Sequence, residues 1–244
     1  GARGPGLMKY NGSNWRTINV RYAGYYEDTY HDHVKALHKD SNGRLWIGTY
    51  GDGLVSFNNN SWKSHEPSNV DLLGNIINAL AIDNSGNKWI GTSEGLSKYK
   101  NGNWGTFTSG SSVFPEKWIH SIATANNDIW IGFGRAKYGL AHYKNGNWQF
   151  LDTGNYELPG QMVFDIAVDS QQNKWLATNR GLAKYHRGNW KIYDTSNSGI
   201  PFNALSGDIA FDAMGNLWIA AGKLIKYNGQ NWRSFDSTNS SIPI

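Results

Sequence analysis

A unit of about 43 residues recurs along the whole chain, and this repeat constrains the fold more than any other sequence feature. An aliphatic-Trp-Ile-Gly-Thr run, or a close variant, marks each unit. Its tryptophans are 41 to 45 residues apart, at Trp46, Trp89, Trp130, Trp175 and Trp218. A second series of tryptophans recurs every 42 to 47 residues, at Trp15, Trp62, Trp104, Trp148, Trp190 and Trp232. Regular spacing of this size is typical of radial or stacked repeat architectures.

Each unit has the pattern of four short strands, which we call A to D. Strand A is an apolar run that ends in a polar turn such as Asp83–Gly86, where Asp accepts backbone hydrogen bonds and Gly supplies a positive φ. Strand B carries the Trp-Ile-Gly-Thr run, and strand C has the form Gly-Leu-x-x-Tyr, as in Gly95–Tyr99. An Asn-Gly hairpin, as at Asn101-Gly102, leads to strand D, which begins with Asn-Trp. Four antiparallel strands in each unit predict a propeller blade.

The repeats predict an all-β fold, a β-propeller of four-stranded antiparallel blades, as a single domain over residues 1–244. An outer half-blade and a long loop occupy 1–32, and five whole blades follow at 33–75, 76–117, 118–160, 161–203 and 204–244. Gly1–Tyr10 aligns with Gly91–Tyr99, so residue 1 is expected inside a strand B. One strand A and most of one strand B would then complete a six-bladed propeller. We expect the tryptophans to pack between blades.

Asp40–Leu54 and Asp83–Leu96 resemble the two-component-regulator propeller repeat, in which Asp-x-x-Gly, Trp-Ile-Gly-Thr and Gly-Gly-Leu follow an apolar strand. The linkers Thr195–Pro201 and Thr238–Pro243 resemble those of secreted or surface proteins of Bacteroidetes-type bacteria. The resemblance implies an extracytoplasmic location, whether periplasmic, cell-surface or secreted. It also implies a role in signal transduction as a sensor domain, often for oligosaccharides, or as a module of a secreted multidomain protein. The family has no invariant catalytic motif, and Ala125–Asp128 departs from its Asp-x-x-Gly turn.

Composition excludes several function classes. The net charge of +4 does not indicate nucleic-acid binding, because recurring lysines such as Lys98 and Lys184 would be spread around the rim, whereas phosphate binding needs clustered charge. The absence of cysteine excludes disulfides and thiol chemistry. No apolar run approaches the ~18 residues of a membrane-spanning helix, so we expect no direct membrane insertion in this segment.

Residues that interrupt the repeat in the D-to-A and B-to-C loops are the candidate ligand-binding residues, because both sets of loops share one face of a propeller. The loop Asn19–Asp32 is the longest, Phe133–Gly139 is enlarged, and Trp118 is the only tryptophan outside both series. Aromatic rings beside charged groups suit sugar stacking with hydroxyl hydrogen bonds, and they also suit a protein interface. The predicted ligand-binding residues are Tyr26, His31, Tyr50, Asp52, Glu94, Trp118, Arg135, Tyr138 and Arg180.

The sequence predicts no catalytic, metal or cofactor site. His31-Asp32-His33 resembles a metal-binding pair only weakly, since no second cluster has ligand spacing. Asp165 and Asp208 replace small residues in strand A and are expected to be polar channel residues or ligands for an ion or water. The chain has no nucleophile elbow, P-loop, dinucleotide fingerprint or zinc motif.

Three functions remain open at this point. The first is a non-catalytic, extracytoplasmic binding module for an oligosaccharide, a peptide or a protein partner. The second is a propeller lyase or hydrolase acting on a polysaccharide through charged loop residues: His31, Asp52, Glu94, Arg135 and Arg180. The third is a structural or adhesive segment of a secreted protein. The absence of catalytic motifs and the family resemblance favour the binding module.

Overall fold

A computed structural model describes residues 7–18, 33–59, 61–109, 114–134, 138–154 and 158–240. The chain forms two compact units, Gly1–Ile119 and His120–Ile244. Within the described residues, all extended regular structure is β-strand. The described part of the chain contains no helix that could cross a membrane.

Three antiparallel sheets lie in the first unit, and consecutive strands are neighbours in each of them. The two-stranded sheet consists of β1 (Leu7–Tyr10) and β2 (Trp15–Ile18), which correspond to strands C and D of the repeat. The next sheet comprises β3 (Val34–Lys39), β4 (Leu45–Thr49), β5 (Leu54–Asn58) and β6 (Ser61–His65). The third comprises β7 (Ile77–Ile82), β8 (Lys88–Thr92), β9 (Leu96–Lys100) and β10 (Asn103–Phe107).

Three further four-stranded sheets follow, and β11 of the first begins at the last residue of the first unit. This sheet comprises β11 (Ile119–Ala125), β12 (Asp128–Phe133), β13 (Leu140–Lys144) and β14 (Asn147–Leu151). The next comprises β15 (Val163–Val168), β16 (Lys174–Thr178), β17 (Gly181–His186) and β18 (Asn189–Tyr193). The last comprises β19 (Ile209–Phe211), β20 (Leu217–Ala221), β21 (Lys223–Tyr227) and β22 (Trp232–Phe235).

A hydrogen bond between an aspartate and the strand B tryptophan holds most A-to-B turns in place. In the β7–β8 turn, Trp89 Nε1 donates to Asp83 Oδ2 at 2.9 Å. The other carboxylate oxygen of Asp83 accepts from the backbone amides of Ser85 and Asn87. Three other sheets repeat the aspartate–indole bond at 2.9 to 3.0 Å, in the pairs Asp40–Trp46, Asp169–Trp175 and Asp212–Trp218. The aspartate at the start of the turn therefore sets the turn and fixes the strand B indole, including at Asp169, where the turn has no glycine.

The β11–β12 connection is the exception. Only Asn126 and Asn127 lie between these strands, and Asn126 has a φ of 58°. The buried Nε1 of Trp130 has no hydrogen-bond partner there. Its ring instead stacks on His142, with ring centroids 4.0 Å apart and planes 13° apart, while His142 Nε2 lies 3.1 Å from Asp128 Oδ2. The departure at Ala125–Asp128 therefore replaces a hydrogen bond with ring stacking.

A strand B tryptophan packs between the two four-stranded sheets of the first unit. Trp46 lies in one core cluster with Leu80 and Ile90 of the following sheet. Its ring centroid is 5.5 Å from that of Tyr99, and Lys88 Nζ lies 5.2 Å from the ring. The β7–β10 sheet thus covers an apolar face of the β3–β6 sheet, and burial of this kind supplies most of the driving force for folding.

Glycine at position 48 is required by the close approach of the next sheet. A Cβ at Gly48 would lie 2.5 Å from Ile77 Cγ2 and 2.9 Å from Ile77 Cβ. We expect Gly48→Ala to lower the free energy of unfolding by about 2 kcal/mol through overpacking, measured by urea denaturation. Gly105→Ala is the matched control, because no atom lies within 4 Å of a Cβ there. Equal stability of the two variants would contradict this account of the packing.

Candidate binding face

The B-to-C and D-to-A loops meet at one end of the sheets in the first unit. The Tyr50 amide donates to His33 O at 3.0 Å, the Gly53 amide to Asn75 O at 3.0 Å, and the Ser93 amide to Ile76 O at 3.2 Å. We call this region the loop end of the first unit; it comprises residues 33, 50–53, 66–76, 93–95 and 114–118. The expectation that these two sets of loops share a face holds here within one unit.

A buried threonine at the end of strand B fixes the backbone of each regular B-to-C loop. Thr92 Oγ1 donates to Gly95 O at 2.9 Å and accepts from the Glu94 amide at 3.0 Å. Thr49 and Thr178 make equivalent pairs of bonds in their own loops. The sequence motif includes these threonines, but their role in positioning candidate residues was not predicted. The residues whose amides they hold are Asp52, Glu94 and Arg180.

Two predicted residues, Glu94 and Trp118, lie at the loop end with Lys117, which was not predicted. Lys117 Nζ lies 3.8 Å from Glu94 Oε2, and both side chains are more than half exposed. Trp118, the next residue along the chain, has an exposed fraction of 43 %. An ion pair this exposed contributes little to stability. Its charges are therefore available to a ligand at small cost.

Tyr50 and Asp52 lie on the neighbouring B-to-C loop of the same unit. Tyr50 is exposed and Asp52 is half-buried. The loop they occupy is tied to the preceding strand A at His33 and to the next D-to-A loop at Asn75. The structure therefore places both residues at the loop end of the first unit.

The second unit holds the remaining described candidates. Arg180 is exposed on a B-to-C loop, and Tyr138 is half-buried with its ring centroid 5.8 Å from that of Phe150. The Asn179 amide donates to Met162 O at 3.2 Å, so the loops meet in this unit as well. Three predicted residues lie outside the described part of the chain: Tyr26, His31 and Arg135.

Asp165 joins two strands rather than lying free. Its Oδ1 accepts from the Ile166 amide at 2.8 Å, and its Oδ2 accepts from the Ile209 amide of β19 at 2.8 Å. Burial, together with the charge of Asp208, raises the pKa of Asp165 to about 6, although both hydrogen bonds act to lower it. Asp165 therefore connects β15 to β19 within the second unit.

Potential metal ligands do not gather in the described residues. Of the His31-Asp32-His33 motif, only His33 is described. Across the described ranges, no group of three or more His, Asp or Glu side chains could hold an ion.

Residues 31–51 match the family described as Two component regulator propeller. This match includes the Asp40–Thr49 run on which the resemblance was based, so the chain carries a repeat of this type. No protein with a curated description matches the chain.

Solved structures with the same fold include proteins of different functions. The extracellular domain of a B. thetaiotaomicron protein assigned as a hybrid two component system has a TM-score of 0.77 and 24% identity, over 91% of this chain and 31% of that one. Virginiamycin B lyase from Staphylococcus aureus has a TM-score of 0.67 and 16% identity, over 86% and 71%. The Niastella koreensis GH74 enzyme has a TM-score of 0.61 and 16% identity, over 84% and 38%.

These likenesses confirm the predicted fold class, an all-β propeller of four-stranded antiparallel blades. The described residues form five four-stranded sheets and one two-stranded sheet. The chain spans about a third of the length of the B. thetaiotaomicron domain. Both the extracellular domain of a two component system and enzymes are among the structures of this fold, so the fold by itself does not assign an activity.

Proposed function

We propose that this chain is a non-catalytic, extracytoplasmic binding domain of sensor type that recognises an oligosaccharide at the loop end of the first unit. The observation that carries the proposal is the exposed indole of Trp118 beside the exposed Glu94–Lys117 ion pair. Trp118 would form the stacking surface for a sugar ring. Glu94 would accept hydrogen bonds from sugar hydroxyls, and Lys117 would donate them.

Sugar recognition accounts for the particular combination of groups. A pyranose ring has an apolar face that packs on an aromatic ring, and its equatorial hydroxyls need donors and acceptors around the rim. The strand B tryptophans of the first unit, Trp46 and Trp89, are buried in the cores of their sheets, whereas Trp118 lies just before a strand A and is 43 % exposed. The indole of Trp118 is therefore available to a sugar ring, unlike the indoles of strand B in this unit.

A binding role fits the described loop end better than polysaccharide cleavage does. Hydrolysis by paired carboxylates needs two acidic groups at a defined separation across the scissile bond. The charged partner of Glu94 at the loop end is a lysine, 3.8 Å away. The likeness to the extracellular domain of a two component system further supports a sensor.

Isothermal titration of the purified chain with soluble oligosaccharides of four to eight sugars, from xylan, mannan, arabinan and chondroitin, tests the proposal. We expect saturable binding to one class. Trp118→Ala should weaken it by about tenfold or more, because loss of an aromatic anchor commonly costs more than 1 kcal/mol. Glu94→Gln should weaken it less, since the amide retains one acceptor oxygen.

Trp15→Ala is the matched control, because Trp15 is exposed on β2, outside the loop end. Binding that survives Trp118→Ala but not Trp15→Ala would contradict the proposed site. Incubation of the same sugars with the chain, followed by analysis of chain length, tests the alternative. Shortened products that disappear in Glu94→Gln would replace the binding role with an enzymatic one.

A further inference from the structure

An open apolar groove lies between β1 and the β3–β6 sheet of the first unit. Its volume is about 690 Å³, and Leu37, Leu45, Phe57 and Trp62 line one side of it. Strand β1 lines the other side with Met8, Lys9 and Tyr10. The groove shares no residue with the loop end, so an occupant of the groove is independent of any ligand at the loop end.

Comparison with the next sheet shows what normally fills this position. Leu37 pairs with Ile47 across β3 and β4, and Leu80 pairs with Ile90 at the same register of β7 and β8. Leu80 has an exposed fraction of 9 %, and Trp46 of the preceding sheet lies in its core cluster. Leu37 has an exposed fraction of 48 %. The difference between these two leucines is the absence, among the described residues, of a tryptophan over Leu37.

Lys9 indicates how such a tryptophan would be held. Lys98 of strand β9 pairs with Trp89, and its Nζ lies 4.9 Å from the Trp89 ring centroid. Two sheets of the second unit repeat this cation–π contact at 4.9 and 5.1 Å, in the pairs Lys184–Trp175 and Lys226–Trp218. Lys9 occupies the same place in the Leu-x-Lys-Tyr pattern of β1.

The edge of β1 opposite β2 completes the pattern. Strand β1 pairs with β2 along one edge, and none of the other described strands pairs with it. In the other sheets, the corresponding edge of strand C pairs with strand B. An unpaired strand edge beside an apolar groove is the arrangement to which an extended peptide adds as a further strand.

We propose that this groove accepts an extended strand of a further propeller repeat, with the pattern aliphatic-Trp-Ile/Leu-Gly/Ala. The backbone of that strand pairs antiparallel with β1. Its tryptophan lies opposite Lys9, with its ring against Phe57 and Leu37. The Phe57 contact is the counterpart of the Trp46–Tyr99 contact in the same unit.

Other occupants fit the groove less well. A second copy of this chain would have to withdraw one of its own tryptophan strands, because Trp46 and Trp89 are both buried within their sheets. A small apolar ligand would cover Leu37 but would leave the β1 edge unpaired. A strand that carries tryptophan does all three: it covers the apolar surface, places a ring against the Lys9 cation and pairs with the backbone of β1.

A synthetic peptide with the sequence of residues 86–93, GNKWIGTS, is the probe. We expect saturable binding to the whole chain, with NMR shifts of the Leu37 and Met8 methyl groups. The peptide with alanine in place of tryptophan should bind at least tenfold more weakly. Leu37→Glu in the chain should weaken binding to a similar extent, and Lys9→Ala should weaken it severalfold.

Met214→Glu is the control variant, because Met214 is an exposed apolar residue of the second unit. It should leave peptide binding unchanged. Three results would overturn the proposal: no binding of the tryptophan peptide, equal binding of both peptides, or no effect of Leu37→Glu. Sedimentation of the chain alone tests the second-copy alternative, and a dimer that Leu37→Glu dissociates would assign the groove to self-association.

Discussion

Asp83→Ala should lower the free energy of unfolding by about 3 kcal/mol, because it leaves several buried or turn donors without an acceptor. Trp89 Nε1 and Asn87 Nδ2 both donate to Asp83 Oδ2, at 2.9 and 2.6 Å. The indole cannot turn to water, since Trp89 of β8 has an exposed fraction of 1 %. Urea denaturation monitored by circular dichroism measures the loss.

Two further variants separate the indole bond from the turn. Asp83→Asn retains one acceptor oxygen and should give an intermediate loss. Asp194→Ala removes an exposed aspartate whose bonds, such as the one from the Ser196 amide, stay within its own turn, and it should cause a much smaller loss. Equal losses for Asp83→Ala and Asp194→Ala would show that the indole bond contributes nothing beyond turn formation.

Acid should also destabilise the protein through Asp83. Burial alone would raise the pKa of Asp83, but hydrogen bonds from Trp89 and Asn87 outweigh burial and hold that pKa below its ordinary value. The carboxylate therefore stabilises the fold above pH 3.8, and this contribution is lost as the pH falls through the lowered pKa. Asp83→Ala should show a correspondingly shallower loss of stability in strong acid.

Lowering the pH from about 6.5 to about 4 should cost the native chain about 3 kcal/mol of stability through His65 alone. His65 has an exposed fraction of 2 % and lies among the rings of Trp46, Tyr99 and Trp104. Burial, assisted by the charges of Lys63 and Arg44, lowers the pKa of His65 to about 4. Between these pH values the unfolded chain binds a proton that the folded chain excludes, so stability falls as the pH falls.

His65→Phe isolates this contribution. The equivalent position is Phe107 in the β7–β10 sheet, where it pairs with Leu96 as His65 pairs with Leu54. A phenylalanine therefore fits the site, and the variant should lose less stability than the native chain between pH 6.5 and 4. Other histidines, such as the half-buried His142, contribute equally to both proteins. Parallel stability curves for the two proteins would contradict the role of His65.

The regular part of the fold was predictable because its signals are local. The Asn101-Gly102 turn has φ values of 50° and 91°, as a two-residue hairpin requires. The strand B tryptophans were visible from spacing alone. At the Asn-Gly pairs that begin at Asn11 and Asn228, the asparagine side chains instead accept hydrogen bonds from the backbone amides of Asn14 and Asn231, in longer turns. Local chemistry thus indicated each turn, although not always its type.

Contacts between distant residues were less accessible from sequence. The loop position of Trp118 was predictable because it lies outside both tryptophan series, whereas the Glu94–Lys117 ion pair depends on how two loops meet. The burial of His65 and the exposure of Leu37 were not predicted, since each depends on what the neighbouring sheet presents. The sequence pattern shows which face of a strand a residue lies on, but tertiary packing decides which residues cover that face.

The two-residue turn at Asn126-Asn127 has a consequence for how the gene of such a protein can change. The other A-to-B connections have five residues, yet strand B still places Trp130 opposite strand C at His142, as Trp89 lies opposite Lys98. The register between strands B and C therefore does not depend on the length of the preceding A-to-B turn. Short insertions and deletions of codons at this end alter the surface of one repeat and leave the next repeat in frame and in place.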